Sequence, residues 1–124
     1  MRTAIYARSA IAGGCEAQLK ELRANVLQPG WKIIGEYLDD GVSGLRSRRP
    51  ALDRLMADGE KGMFECVVVS DLERLSRNPR QLMQHLAHLQ QLGLRFLAMK
   101  QDVDSAKEDS LNSPLLKMFA LVAE

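Results

Sequence analysis

Cysteine is nearly missing from this sequence: Cys15 and Cys66 are the only two in 124 residues. Two thiols so far apart make neither a disulfide framework nor a zinc site, and they point to a reducing cytoplasm. Net charge is nearly missing too, because seventeen Lys and Arg against sixteen Asp and Glu leave +1. No whole-molecule field therefore announces nucleic acid, and any DNA binding has to come from a local basic cluster or a separate module. No apolar run approaches the ~20 residues that span a bilayer, and the N-terminus shows no signal-peptide pattern. Internal repeats and low-complexity segments are absent as well. What is present is ordinary for a single globular domain: 46% hydrophobic and 27% charged residues, in a chain long enough to bury one core.

Strand-like and helix-like segments alternate along the chain. Thr3–Ala7 reads as a short first strand, followed by Arg8-Ser9-Ala10 and a loop marked by Gly13-Gly14. Between Glu16 and Val26, Leu19, Leu22 and Val26 recur at three and four, the period of an amphipathic helix that Pro29-Gly30 stops. Trp31–Leu38 reads as a second strand, with Asp39–Gly44 as a polar, glycine-rich loop after it. Pro50 suits the first turn of a helix carrying Leu52, Leu55 and Met56 on one face, ended by Gly59 and Gly62. Cys66–Val69 is strand three, Pro79–Gln91 a helix with Leu82, Met83, Leu86 and Leu89 inward, and Leu94–Ala98 strand four. Lys100–Ser113 is polar and loop-like. Asn112 and Ser113 then cap a last helix with Pro114 at its first position, still apolar and periodic at Glu124, as if it continued. Four strand–helix alternations predict an α/β fold: a mostly parallel sheet of roughly four to five strands with helices on both faces.

The basic residues fall at telling places. Arg74 and Arg77 follow strand three; if that segment is a helical turn, they share a face and can aim at one anion. The plainer alternative is a Glu73–Arg77 surface pair. Arg8 follows strand one, and Arg46, Arg48 and Arg49 follow strand two. A parallel sheet gathers these strand ends at one edge, where open α/β folds bind ligands. Arginine is the residue of choice for bidentate phosphate recognition, and clustered guanidiniums stabilise a phosphoryl transition state.

Four motifs appear in order: Ile5-Tyr6-Ala7-Arg8-Ser9, Asp40-Gly41-Val42-Ser43-Gly44, Arg49-Pro50-Ala51-Leu52, and Leu72-Glu73-Arg74-Leu75-Ser76-Arg77. Together they resemble the catalytic domain of the serine recombinases, the resolvase/invertase family of site-specific DNA recombinases, over essentially the whole chain. The resemblance implies a resolvase-like fold and a serine hydroxyl that attacks a DNA phosphodiester. The products are a 5′-phosphoserine link and a free 3′-hydroxyl, with no metal or other cofactor. It implies that Arg8, Arg49, Arg74 and Arg77 hold the scissile phosphate, with Ser43 near it. Glu73 would orient an arginine or move a proton, Tyr6 would support the site from beneath, and Gln18 would match the glutamine at the start of the family's first helix. The implied partners are double-stranded DNA and further copies of the protein, as a homodimer or homotetramer, with no membrane or small-molecule substrate. Ala120–Glu124 resembles the start of the family's long dimerisation helix, and the DNA-binding module would lie beyond it. The implied location is a bacterial-type cytoplasm, at the nucleoid.

One position departs from the pattern. The family places its nucleophile two residues after the first arginine, and here that residue is Ala10. Either a one-residue deletion between Arg8 and Gln18 brings Ser9 into the nucleophile's place, or the nucleophile is absent and the domain only binds DNA or regulates. A more distant alternative, a phospho-acceptor signalling domain, draws on Asp39-Asp40, Asp71 and Lys100, but Arg8 stands where its acidic pair belongs. His85 and His88 lack a third ligand and read as a half-exposed helix face rather than a metal site. Cys15 reads as an inert loop thiol.

Overall fold

A computed structural model describes residues 1–11, 13–26, 30–41, 49–100 and 103–105. Ser43, Arg46, Arg48 and the helix expected from Pro114 lie outside the described residues.

Among the described residues, five strands form one sheet in the order β2-β1-β3-β4-β5: β1 Arg2–Ser9, β2 Lys32–Asp40, β3 Cys66–Val69, β4 Arg95–Ala98 and β5 Val103–Asp104. The first four pair in parallel, as the alternation predicts. β5 is antiparallel to β4, inside a stretch expected to be loop. Its two residues carry no strand pattern of their own; Asp104 is held by a two-pronged ion pair from Arg95, at 2.9 and 2.6 Å. β1 also runs through Arg8 and Ser9, so Arg8 lies within the end of the strand rather than following it.

Helices cover both faces: α1 Cys15–Val26, α2 Pro50–Glu60, α3 Leu72–Leu75 and α4 Pro79–Gln91. β1 divides its side chains by the two-residue period of a strand. Ala4 and Tyr6 join Leu52, Leu55, Leu82, Leu86 and Leu89 under α2 and α4, whereas Ile5 and Ala7 join Leu19 and Leu22 under α1. Each fully buried leucine contributes roughly 1.5–3 kcal/mol. The proline-first rule holds for α2 and α4, and Asn78 caps α4 by accepting from the backbone N–H groups of Arg80 and Gln81. Gly62 and Gly93, with φ of +75°, turn the chain after those helices, while Gly59 is buried inside α2 because a Cβ there would strike Leu94.

Strand order reverses between β1 and β3, since β2 lies to one side of β1 and β3–β4 to the other. The crevice at the carboxyl ends of these two neighbours is the topological switch point of the sheet. Arg8 lies within the end of one of them and α3 follows the other.

Candidate active site

Three arginines interlock at that switch point. Arg8, buried at the end of β1, donates from Nη2 to the Glu73 carbonyl (2.9 Å) and from Nε to the Arg74 carbonyl (3.2 Å). Arg74 returns a bond from Nη1 to the Arg8 carbonyl at 3.3 Å. Arg49, fully buried, donates to the carbonyls of Arg74 (3.3 Å) and Leu75. The short helix α3 is thus the hub: its backbone carbonyls orient two guanidiniums and its own residue supplies a third. Carbonyls satisfy these donors without cancelling their charge.

α3 is set by Asp71, whose carboxylate caps it at the Arg74 N–H (3.2 Å) and also lies 3.4 Å from Nε of Arg74 and 3.8 Å from Nζ of Lys100. The helix ends at Leu75, and Ser76 is extended (φ −163°, ψ 145°). Arg74 and Arg77 therefore do not share a helical face as the sequence suggested. Arg77 is exposed, yet its charge, with those of Arg49 and Arg74, adds to burial in lowering the pKa of Arg8. Burial likewise lowers that of Arg49.

Beneath the cluster, the Tyr6 ring lies 5.8 Å from the Arg49 guanidinium carbon. Its hydroxyl donates to Asp39 at 2.7 Å, and burial raises the phenol far above its usual value against the pull of Arg49. Asp39 also accepts from the backbone N–H groups of Ala51 (2.8 Å) and Leu52 (3.1 Å). A strand carboxylate thereby does the capping that Arg49, the residue preceding α2, does not do with its own side chain. Gln18 clasps the backbone of Arg8 from the other side, accepting from its N–H (3.2 Å) and donating to its carbonyl (2.8 Å).

Ser9 is placed differently. Its hydroxyl donates to the Ile11 carbonyl (2.9 Å) and accepts from the Ile11 N–H (3.1 Å), closing a tight serine turn. Alternation along β1 assigns it to the α1 face, opposite to Arg8, and a Cβ on Gly14 would meet its Oγ at 2.0 Å. The carbonyl of Glu73, not its exposed carboxylate, contacts Arg8.

Two functional candidates were not legible as such in the sequence. Asp39 looked like the start of a loop, but β2 continues through it, and the i, i+2 spacing from buried Tyr37 turns it inward. His85 is half-buried, in keeping with the expected half-exposed helix face, but its Nε2 lies 3.3 Å from Nη2 of Arg49, a contact that no sequence signal marks. Burial first, and Arg49 second, push its imidazole down to about 4 from 6.5. Unfolded chains therefore bind this proton at higher pH than folded ones, so the contribution is complete above about pH 6.5 and is lost as pH falls through 4. Up to about 3 kcal/mol is involved on this account. Ring-resonance titration of His85 is expected to stay flat from pH 8 to about 5 and to inflect near 4; a midpoint near 6.5 would contradict the burial.

Cys15 opens α1 and is buried, its thiol raised to about 11 chiefly by that burial, consistent with an inert role. Among the described residues no group of three or more His, Cys, Asp or Glu is placed to hold a metal ion, and no helix is long and apolar enough to cross a membrane.

The site is thus a nest of arginines at the switch point of a mostly parallel α/β sheet. The chain belongs to the resolvase N-terminal domain family, whose model matches residues 3–124. It is similar to the transposon Tn552 DNA-invertase BinR of Staphylococcus aureus, with 33% identity over 89 residues that cover 72% of this chain and 45% of that protein. It resembles the Tn552 resolvase of the same organism at 32% identity over 89 residues, 72% of this chain and 44% of that protein. Among solved structures, the N-terminal catalytic domain of TP901-1 integrase superposes with a TM-score of 0.86 and 26% identity, covering 98% of this chain and 93% of that one. The chain thus spans under half the length of these curated relatives. Family membership leaves the signalling-domain alternative without support.

Proposed function

We propose that this chain is the strand-cleaving domain of a site-specific DNA recombinase. Arg8, Arg49, Arg74 and Arg77 hold one DNA phosphate, and the Ser9 hydroxyl attacks it. The interlocking of Arg8, Arg49 and Arg74 through the carbonyls of α3 carries this reading: three cations are oriented together at the switch point. Attack forms a bond from Ser9 Oγ to phosphorus and breaks the bond to the 3′-oxygen. Ser9 gives up its proton, with Glu73 as the candidate acceptor, and the leaving 3′-oxygen takes one up. The phosphorus–oxygen ester is retained in the serine link, so the 3′-hydroxyl of an exchanged strand reverses the step without external energy. Charge that builds on the pentacoordinate phosphate meets the guanidiniums, each such donor being worth roughly 10²–10³ in rate. Ser43 is assigned beside the phosphate by its motif alone. The substrate is double-stranded DNA, the working assembly a dimer or tetramer of the whole protein, and the location the cytoplasm. Tyr6 and Gln18 support Arg49 and Arg8.

A second reading is favoured by one observation. Ser9 faces α1 and spends its hydroxyl on the Ile11 turn, and Ala10 carries no hydroxyl. For attack, Ser9 Oγ has to leave that turn, a cost of about 1 kcal/mol per hydrogen bond. A domain in which it stays there binds the phosphate without cutting. Short duplexes carrying 3′-bridging phosphorothiolates distinguish the two, because the thiolate released by cleavage returns poorly and traps the covalent complex. Active Ser9 predicts a protein–DNA adduct that Ser9→Ala abolishes. An adduct formed only by Ala10→Ser sinks the cleavage reading and leaves the binding one.

A further inference from the structure

Arg49 is a fully buried cation, and no carboxylate among the described residues forms an ion pair with it. Its Nη1 reaches the Arg74 carbonyl and its Nη2 the Leu75 carbonyl, while Nε has no hydrogen-bond partner. The second proton on Nη2 is met by Nε2 of His85, 3.3 Å away on α4. Arginine only donates, so Nε2 has to present a lone pair, which fixes the ring as the neutral tautomer with its proton on Nδ1. The charged groups that bear on this ring are Arg49 ahead of α2, Asp53 on α2 and His88 on α4 itself.

We propose that His85 is a positioning residue of the phosphate site: its neutral imidazole accepts from Nη2 of Arg49 and fixes the guanidinium without cancelling its charge. This rests on the phosphate-binding reading above. The choice of side chain is informative. A leucine at this place on the apolar face of α4 would fill the space but leave one Nη2 donor buried and unmet. A glutamate would meet it and neutralise the cation the site needs. A neutral acceptor is the chemistry that does the first without the second, and the low pKa keeps it neutral across the physiological range.

The test uses the chain with inorganic phosphate as the probe, followed by calorimetric titration, and compares His85→Leu, His85→Gln and His85→Glu. His85→Leu is expected to bind phosphate about tenfold more weakly, the loss of one hydrogen bond to a charged group, and its thermal midpoint to fall by about 4–8 °C from one orphaned buried donor. His85→Gln, which carries an acceptor to nearly the same place, is expected to restore affinity to within about twofold, and His85→Glu to bind more weakly than His85→Gln. Wild-type affinity in His85→Leu, or equal affinity in the Gln and Glu variants, overturns the proposal. Should His85→Leu fold poorly, the Gln–Glu comparison decides alone. Arg8→Met is the control on the parent reading. If it leaves phosphate binding unchanged, the site itself is misassigned. If it abolishes binding and the His85 variants do nothing, only the role of His85 fails.

Discussion

Replacing Asp39 with alanine is expected to lower the thermal midpoint by about 15 °C. The carboxylate is buried at 3% exposure and satisfies three donors: the Tyr6 hydroxyl and the backbone N–H groups of Ala51 and Leu52. Alanine leaves all three without an acceptor in a place that water does not reach. An orphaned buried donor costs about 1–3 kcal/mol and a lost helix cap about 1, so a total near 4 kcal/mol follows even with partial relaxation. Asp39→Asn keeps one carbonyl oxygen and is expected to lose about half as much. Thermal unfolding followed by circular dichroism measures both. A midpoint within a few degrees of wild type in Asp39→Ala would mean that α2 does not depend on this cap. The consequence for function is local. Arg49 immediately precedes α2, so loosening the start of that helix releases a guanidinium that its other contacts alone do not hold.

The second large effect separates activity from stability. Arg8→Met keeps most of the side chain's apolar stem and removes the charge. It is expected to reduce adduct formation on phosphorothiolate DNA by about 10³-fold or more, in the range seen when a transition-state cation or oxyanion donor is removed. Stability is expected to change by about 1 kcal/mol or less. Two carbonyls, those of Glu73 and Arg74, lose a donor, but the repulsion of Arg8 by Arg49, Arg74 and Arg77 is relieved at the same time. Cations crowded at one strand edge are a cost that a bound phosphate removes, so phosphate should raise the midpoint of the wild type by mass action and leave that of Arg8→Met unmoved. A variant that is inactive because it is unfolded would instead melt early at every phosphate concentration.

Much of this architecture is legible in the chain because its signals are local. Cys66–Val69 and Pro79–Gln91 have in the structure the boundaries that the sequence indicates, since a β-branched run bounded by polar residues and a Pro-to-Gly helix frame need no tertiary information. The arginines at the strand ends follow once the strands are parallel. What escaped is non-local. β5 exists because Arg95 reaches across to Asp104, and a two-residue strand leaves no periodicity to read. Asp39 is a polar residue made internal by a strand that outlasts its hydrophobic pattern. His85 lies three residues after Leu82 and four before Leu89, so its half-exposed place beside the apolar face was readable; its partner, Arg49, was not. Ser9 is the reverse case. Motif order brings it next to Arg8, and because β1 extends through Ser9, strand alternation turns it toward α1.

If Arg8, Arg49 and Arg74, with Arg77 beside them, bind one phosphate together, their guanidiniums respond to it as a unit. The direct measurement is a titration of the arginine-labelled chain with inorganic phosphate, following the guanidinium Nε–H resonances by NMR. The resonances of Arg8, Arg49, Arg74 and Arg77 are expected to shift along one shared saturation curve, while that of Arg23, paired with Glu36 of the edge strand β2, is expected to stay in place. Shifts that fit separate curves, or that appear equally in Arg23, would contradict shared binding.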